Sequence, residues 1–431
     1  MLMKYKTYEK YKDSNEEWIG MVPESWIVEP IREFYDYRAE KVSDKVYEPL
    51  SVTKQGILPQ LEHAAKTDNN DSRKKVKKGD FVINSRSDRK GSCGVSPYEG
   101  SVSLIYHVLS SKDSTINRYA HYLFRSMMFA EEFYKWGHGI VDDLWSTRWD
   151  EMKKIKIPMP PKEDRIQIGN YLDKRIGNID EQIYANKKLV ELLEEKRITL
   201  INQMVIKGLN PESPMKDSGV DWIGEIPEHW NVLTLKKCCE KITDGSHFSP
   251  DTTLDGKYYI TVRNVVGNSI DFANAAKISI KDYNILKTNG CEPKKGDVLL
   301  SKDGTIGKCI VVDDNDFVIL SSLGLLRPNN SVLSDYLRYY LISDLNIKQM
   351  YSYIRGSALK RLTINIIKEL LIVIPPLDEQ IKIINYLNPK IEKIEKTITK
   401  VQENIGIMEE YKASLIHHVV TGKIDVREEV I

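Results

Sequence analysis

Cysteine is scarce in this chain: five in 431 residues, Cys93, Cys238, Cys239, Cys291 and Cys309, with no CxxC spacing. Neither a zinc site nor a disulfide framework is indicated, and the thiols are read as reduced and structural. Long apolar runs are missing as well; none approaches the roughly 20 residues of a membrane span. Met1 to Lys10 is charged and has no apolar core of signal-peptide type, so the expectation is a cytoplasmic protein with no membrane contact. An excess of one charge is also absent, since 63 Lys and Arg against 62 Asp and Glu leave a net +1. The whole-chain basicity that usually marks a nucleic-acid binder is therefore not there, and local clusters must carry any such role.

Catalytic signatures are lacking too. There is no GxGxxG and no Asn-Pro-Pro-aromatic tetrapeptide. Gly304 to Cys309 resembles half a phosphate loop but lacks the leading Gly and the Ser or Thr after Lys308. Pro250-Asp251 with Asp255-Gly256-Lys257 imitates a nuclease motif, yet the gap is so short that Asp255-Gly256 reads as a turn. His417 and His418 are neighbours on a helix, point about 100° apart and cannot share a metal. No catalytic site, metal or bound cofactor is expected of the chain itself.

What is there is a repeated helix. Leu172, Ile176, Ile179, Ile183, Asn186, Val190, Leu193, Arg197, Leu200 and Met204 follow one another in hops of four and three, the seam of a coiled coil. Leu387, Ile391, Ile394, Ile398, Val401, Ile405, Met408, Lys412, Leu415 and Val419 repeat it, each displaced by the same 215 residues (Leu172 to Leu387, Met204 to Val419). Each copy follows a Pro-Pro pair, Pro160-Pro161 or Pro375-Pro376, and opens with carboxylates, Glu163 and Asp164 or Asp378 and Glu379. Both features favour a helix N-terminus. Such helices would be on the order of 65 Å long at ~1.5 Å per residue, and each needs a partner for its apolar stripe. The nearest partner is the other copy; the heptads alone do not choose between parallel and antiparallel pairing.

The duplication extends further. Trp18-Ile19-Gly20-Met21-Val22-Pro23-Glu24-Ser25-Trp26 returns as Trp222-Ile223-Gly224-Glu225-Ile226-Pro227-Glu228-His229-Trp230. The chain is thus two copies of one unit, an α/β (α+β) globular domain followed by its helix. The expected divisions are 1–160 and 209–375 for the domains, and 161–208 and 376–431 for the helices. Short strands are expected at Phe81 to Ile83, Val298 to Leu300, Ile310 to Val312 and Phe317 to Leu320, and a helical stretch at Tyr119 to Lys135 and at Ser334 to Tyr351. Lys77-Lys78-Gly79-Asp80 and Lys294-Lys295-Gly296-Asp297 read as turns before a strand.

After those strands the two copies carry equivalent loops with different side chains. Arg and Lys suit guanine edges and phosphates, and Asn and Gln suit adenine. The candidate DNA contacts are Lys54, Gln55, Arg86, Arg89 and Lys90 in the first copy, and Ser246, His247, Arg263, Asn264, Lys302, Lys308, Lys360 and Arg361 in the second. Arg86, Arg89, Lys302 and Arg263 are the first choices for base reading.

The two Trp-Ile-Gly phrases, the Pro-Pro helix openings, Pro375-Pro-Leu-Asp-Glu-Gln380, Leu50-Ser-Val-Thr-Lys54, Thr243-Asp-Gly-Ser-His247 and Val419-Val-Thr-Gly-Lys-Ile-Asp-Val426 together resemble the specificity subunit of type I restriction–modification systems. The resemblance covers essentially the whole chain. It implies two target-recognition domains in tandem, each reading one half of a bipartite, asymmetric site on double-stranded DNA. An antiparallel coiled coil of two long helices, conserved in that family, would hold them apart. It further implies that the helices dock modification (methyltransferase) subunits, two in number, which hold S-adenosylmethionine, and that restriction subunits join the assembly. The first copy departs from the second at the helix exit, Val205-Ile206-Lys207-Gly208 against Val420-Thr421-Gly422-Lys423. The competing expectation is a non-enzymatic coiled-coil scaffold whose two domains bind protein or carbohydrate. It explains the helices but gives no reason for basic, amide-rich loops to recur at equivalent places.

Overall fold

A computed structural model of the chain describes residues 5–60, 72–86, 91–140, 145–313, 316–354 and 361–429. The chain forms two compact units, Met1–Lys187 with Gln402–Ile431, and Lys188–Val401. Among the described residues no helix is long and apolar enough to cross a membrane.

Each unit is built on a four-stranded antiparallel sheet, and the two sheets match strand for strand. In the first unit these strands are β1 (Tyr35–Tyr37), β2 (Phe81–Asn84), β3 (Cys93–Val95) and β4 (Tyr106–Ser111), in the order β3-β2-β4-β1. In the second they are β5 (Cys239–Asp244), β6 (Val298–Ser301), β7 (Cys309–Val311) and β8 (Leu323–Pro328), in the order β7-β6-β8-β5. Even the register recurs: Phe81 pairs with Leu109 as Val298 pairs with Leu326. The central strands β2 and β6 are buried along their whole length, as their unbroken apolar runs demand.

The turns before β2 and β6 work alike. Asp80 and Asp297 are buried, and each carboxylate accepts the amide of the lysine three residues earlier, Lys77 or Lys294. Each is also held by a two-pronged arginine, at 2.7 and 3.0 Å from Arg38 and at 2.8 and 2.7 Å from Arg327. A buried carboxylate is tolerable only with this degree of pairing. The lysines themselves stay exposed.

The expected single helical stretch is two helices in each unit. They are α1 (Ser114–Leu123) and α2 (Met127–Lys135) in the first, with α4 (Ser334–Leu341) and α5 (Asp344–Ser352) in the second, numbering the long helix between them α3 (Lys162–Lys207). Ser126 and Ser343 make the break, because each hydroxyl caps the helix that follows, accepting the amide of Phe129 or Asn346.

The last helix, α6 (Leu377–Val420), runs through Pro389, at the cost of one backbone hydrogen bond. Within the first unit the start of α3 packs on the end of α6, with Leu172, Ile176, Ile179 and Ile183 against Leu415 and Val419. Within the second unit the end of α3, Ile201, Met204 and Val205, packs on the start of α6, Ile383, Leu387 and Ile391. The pairing is therefore antiparallel in both, and every position of the two seams is buried or half-buried. Burying one Leu or Ile is worth about 1.5–3 kcal/mol, so the seam supplies the adhesion. Ion pairs mark the register: Lys412 with Asp180 in the first unit and Arg197 with Glu395 in the second.

The Trp-Ile-Gly phrases join the helix ends. Strand Ile27–Pro30 pairs with Lys156–Met159, which leads into α3, and strand Asn231–Thr234 pairs with Leu371–Ile374, which leads into α6. The Trp230 indole donates to the first-turn carboxylate Glu379 at 3.0 Å. Asp164, the counterpart, lies against the Trp26 indole; burial raises its carboxyl pKa against the pull of Arg427 and that indole. Opposite, each tryptophan covers a glycine beyond the other helix. Gly208 and Gly422 share a φ of +72°, and a Cβ would fall 2.8 Å from Trp230 or 3.2 Å from Trp26. The two helix exits, which differ in sequence by one residue of spacing, thus end on equivalent glycines.

Candidate nucleic-acid interface

In the second unit, loops far apart in sequence meet at one end of the sheet, where β5 finishes at Asp244, β6 at Ser301 and β8 begins at Leu323. Lys302, the residue after β6, ties them. Its amide donates to the carbonyl of Ser322 at 3.0 Å and its carbonyl accepts from Leu362 at 2.8 Å. Its ammonium sits 3.2 Å from Asp244 and 3.5 Å from Asp303. The side chain is only 1% exposed. An ammonium leaves water only where carboxylates replace it, and two do so here. The expectation that Lys302 reaches a base is corrected by this burial: it is an internal strut.

Around that strut the other expected residues divide by exposure. His247 is exposed, 3.2 Å from Asp244, and Arg361 is exposed, its Nε 3.3 Å from Asp303. Arg263 is exposed on a 3-10 turn, Val262–Asn264. The residues behind them are internal. Asn264 is buried and closes that turn, accepting the Thr261 amide at 3.0 Å and donating to the Asn274 carbonyl at 3.3 Å. Ser246 is buried, and its hydroxyl accepts the Phe248 amide at 3.0 Å. Lys308 is half-buried with its ammonium 2.8 Å from the Val265 carbonyl. Asn264, Ser246 and Lys308 shape loops, since their polar atoms are engaged within the chain. The face offered to solvent is His247, Arg263 and Arg361.

The first unit has the same frame. The residue after β2 is Ser85, and its carbonyl accepts the Thr147 amide at 2.9 Å, as Lys302 accepts that of Leu362. One residue on, Arg86 makes an antiparallel bridge with Ser146, where the second unit bridges Asp303 with Arg361. Arg86 is exposed, and its amide donates to the Asn84 side chain at 2.9 Å. Lys54 and Gln55 are exposed at the tip of the hairpin Leu50–Thr53 and Gly56–Pro59. That tip is fixed by Arg125, which donates to the Lys54 carbonyl and lies 2.9 Å from Nε2 of His121. Burial and the adjacent Arg125 charge push the His121 imidazole down to about 4, so it stays neutral beside the guanidinium. Arg89, Lys90 and Lys360 lie outside the described residues.

Sequence reasoning missed Arg125, Ser146 and Ser322 as parts of these sites. The contacts that recruit them join loops many residues apart, and no local pattern announces them. The five cysteines are free, and burial raises the thiols of Cys93 and Cys309 to about 12, which makes them inert. Among the described residues no group of three or more His, Cys, Asp or Glu side chains is arranged to hold a metal.

Residues 227–404 match the profile of the type I restriction modification DNA specificity domain. The MjaIX specificity subunit of a type I restriction enzyme from Methanocaldococcus jannaschii is 23% identical over 454 residues, 99% of each chain. The MjaVIII specificity subunit from the same organism is 26% identical over 322 residues, 71% of this chain and 70% of that one. Among solved structures, a chain from work on complex assembly and conformational transition of the type I R-M system superposes with a TM-score of 0.67. It is 16% identical, and the match covers 93% of this chain and 98% of that chain. This last likeness is one of fold.

Proposed function

The chain belongs to the DNA specificity family of type I restriction–modification systems, and from that premise we propose that each unit reads one half of a split, asymmetric site for a methylating assembly. The chain is the DNA-recognition subunit. The observation that carries the two-reader form is the repeated frame beyond β2 and β6, where one backbone arrangement presents Arg86 and Ser146 in one unit and Asp303 and Arg361 in the other. Two copies of a frame with different side chains have different targets, and different half-sites make the whole site non-palindromic.

Joining two readers in one chain makes the second binding event effectively intramolecular. Half-sites about one helical turn apart, on the order of 34 Å, would present both major grooves on one side of the duplex. With a formal net charge of +1, the chain alone binds DNA weakly and with a shallow salt slope, and partner subunits supply most of the phosphate neutralisation.

Those partners are modification subunits, which bring S-adenosylmethionine and carry out the methyl transfer; restriction subunits join the same assembly. Support for two equivalent docking places comes from the outer faces of the long helices. Ile166 and Ile407 are 40% and 62% exposed in the first unit, and Ile381 and Leu192 are 50% and 51% exposed in the second. Ile381 and Ile407 stand 215 residues after Ile166 and Leu192, the same displacement as the helix seam. Exposed apolar residues at matching positions suit a partner bound twice.

The test is to sequence the methylated sites of a host expressing this chain with its modification subunit, before and after replacing the first unit's globular part by that of another family member. A split motif in which one half changes is the expected result. Absence of any methylated motif would return the chain to the class of coiled-coil scaffolds.

A further inference from the structure

We propose that the two equivalent bridged pairs, Arg86 with Ser146 and Asp303 with Arg361, are the specificity-determining positions of the two units, and that Lys302 is the positioning residue behind the second pair. This rests on the DNA-reading function above and assigns the choice of base to particular positions.

The main chain is the constant. In both units the strand leaving the sheet is crossed by a later segment through one hydrogen bond, Thr147 to Ser85 at 2.9 Å and Leu362 to Lys302 at 2.8 Å. The next residue out forms the bridge. Side chains placed there project from the same framework at the exposed end of each sheet, so exchanging them alters what is recognised without altering the frame.

The side chains are the variable. In the first unit the guanidinium comes from the strand side, Arg86, opposite a small hydroxyl. In the second it comes from the crossing side, Arg361, opposite a carboxylate. An arginine presents five N–H donors in a rigid plane. Asp303 faces Arg361 through Nε at 3.3 Å, which leaves the terminal N–H groups to meet an acceptor pair such as guanine O6 and N7.

Lys302 sets that geometry without touching DNA. It lies between Asp244 and Asp303, so basic side chains and carboxylates alternate along His247, Asp244, Lys302, Asp303 and Arg361, with the buried ammonium at the centre. Without the ammonium the two carboxylates would lose their common cation, and Asp303 would no longer be held where Arg361 needs it.

The experiment uses the full chain with its modification subunits, reading the methylated motif position by position. Arg361→Ala should relax one base position in one half-site by roughly 5- to 150-fold, the usual worth of a two-pronged contact, and leave the other half intact. Arg86→Ala should do the same in the opposite half. Lys302→Met should relax the position that Arg361→Ala relaxes, and Lys302→Arg should restore it; a merely structural lysine would lower complex yield without changing base preference. If Lys302→Met does not fold, Arg361→Ala, an exposed change, decides the matter. Full discrimination retained in both arginine variants, or equal relaxation of both halves by either, overturns the proposal. A wild-type chain that yields no split motif removes the DNA-reading function itself, whereas a wild-type split motif with unchanged variants removes only this assignment.

Discussion

The hydroxyl of Tyr119 meets the carbonyl oxygen of Val420 at 2.7 Å, joining residues 301 positions apart. It also faces the carbonyl of Pro158 at 2.9 Å, so one buried side chain ties the strand before α3 to the end of α6. Tyr336 repeats the arrangement in the second unit, 2.9 Å from Val373 and 3.3 Å from Val205. Tyr119→Phe or Tyr336→Phe would strand buried carbonyls, at about 1–3 kcal/mol. Thermal unfolding should show that loss in either variant, and an unchanged transition would mean that the carbonyls find other donors.

Acid should weaken the first unit through His107. Its ring is buried, donates from Nε2 to the Thr147 carbonyl at 2.8 Å, and has no partner for Nδ1 among the described residues. Burial, aided by the nearby Lys74 charge, pushes the imidazole down to about 4. The unfolded histidine, near 6.5, then holds more protons than the folded one between those values. Stability is complete above about pH 6.5 and falls as pH drops towards 4, by as much as about 3 kcal/mol. His107→Gln, which keeps a donor for Thr147, should flatten that dependence in urea titrations at pH 7 and pH 5.

The ion pairs Lys412 with Asp180 and Arg197 with Glu395 should be nearly interchangeable with their reversals. All four side chains are at least 30% exposed, so each pair is worth about 0.2–1 kcal/mol. Asp180→Lys should lower stability by about that amount, and adding Lys412→Asp should recover it. A double-mutant cycle measures the coupling directly; a coupling of zero would leave register to the apolar seam alone.

Leu192→Glu and Ile407→Glu test the docking faces. At 51% and 62% exposure, either change should move the stability of the isolated chain by less than about 0.5 kcal/mol. Native mass measurement with modification subunits should nonetheless show the occupied fraction reduced. Full occupancy in both variants would place the partner elsewhere.

The architecture was legible where physics acts locally or periodically. The seam from Leu172 to Met204 and its copy showed in the four-three hops, and the buried strands around Phe81 and Val298 in their apolar runs. The direction of helix pairing was not legible in the heptads, because an apolar stripe looks the same read either way; the family resemblance implied an antiparallel pair, and Ile201 lies against Ile383 and Leu387 as that pairing requires. The site was legible as a set of loops but not as roles. Lys302 and Arg361 are written alike in a polar stretch, yet one is internal and the other exposed. What separates them is the approach of Asp244, which lies 58 residues before Lys302 and leaves no local mark.

The two units differ in how the chain threads them. Lys188–Val401 is one continuous segment, whereas the other unit is assembled from Met1–Lys187 and Gln402–Ile431. During synthesis the uninterrupted unit has all its parts as soon as Val401 emerges. The other waits, with Trp26 and Ile176 lacking Gly422 and Leu415, until the final stretch is released. Of these two units, the one whose translation begins earlier is therefore the later to close, and a message truncated anywhere within α6 beyond Val401 would leave one finished reader beside one with an open core.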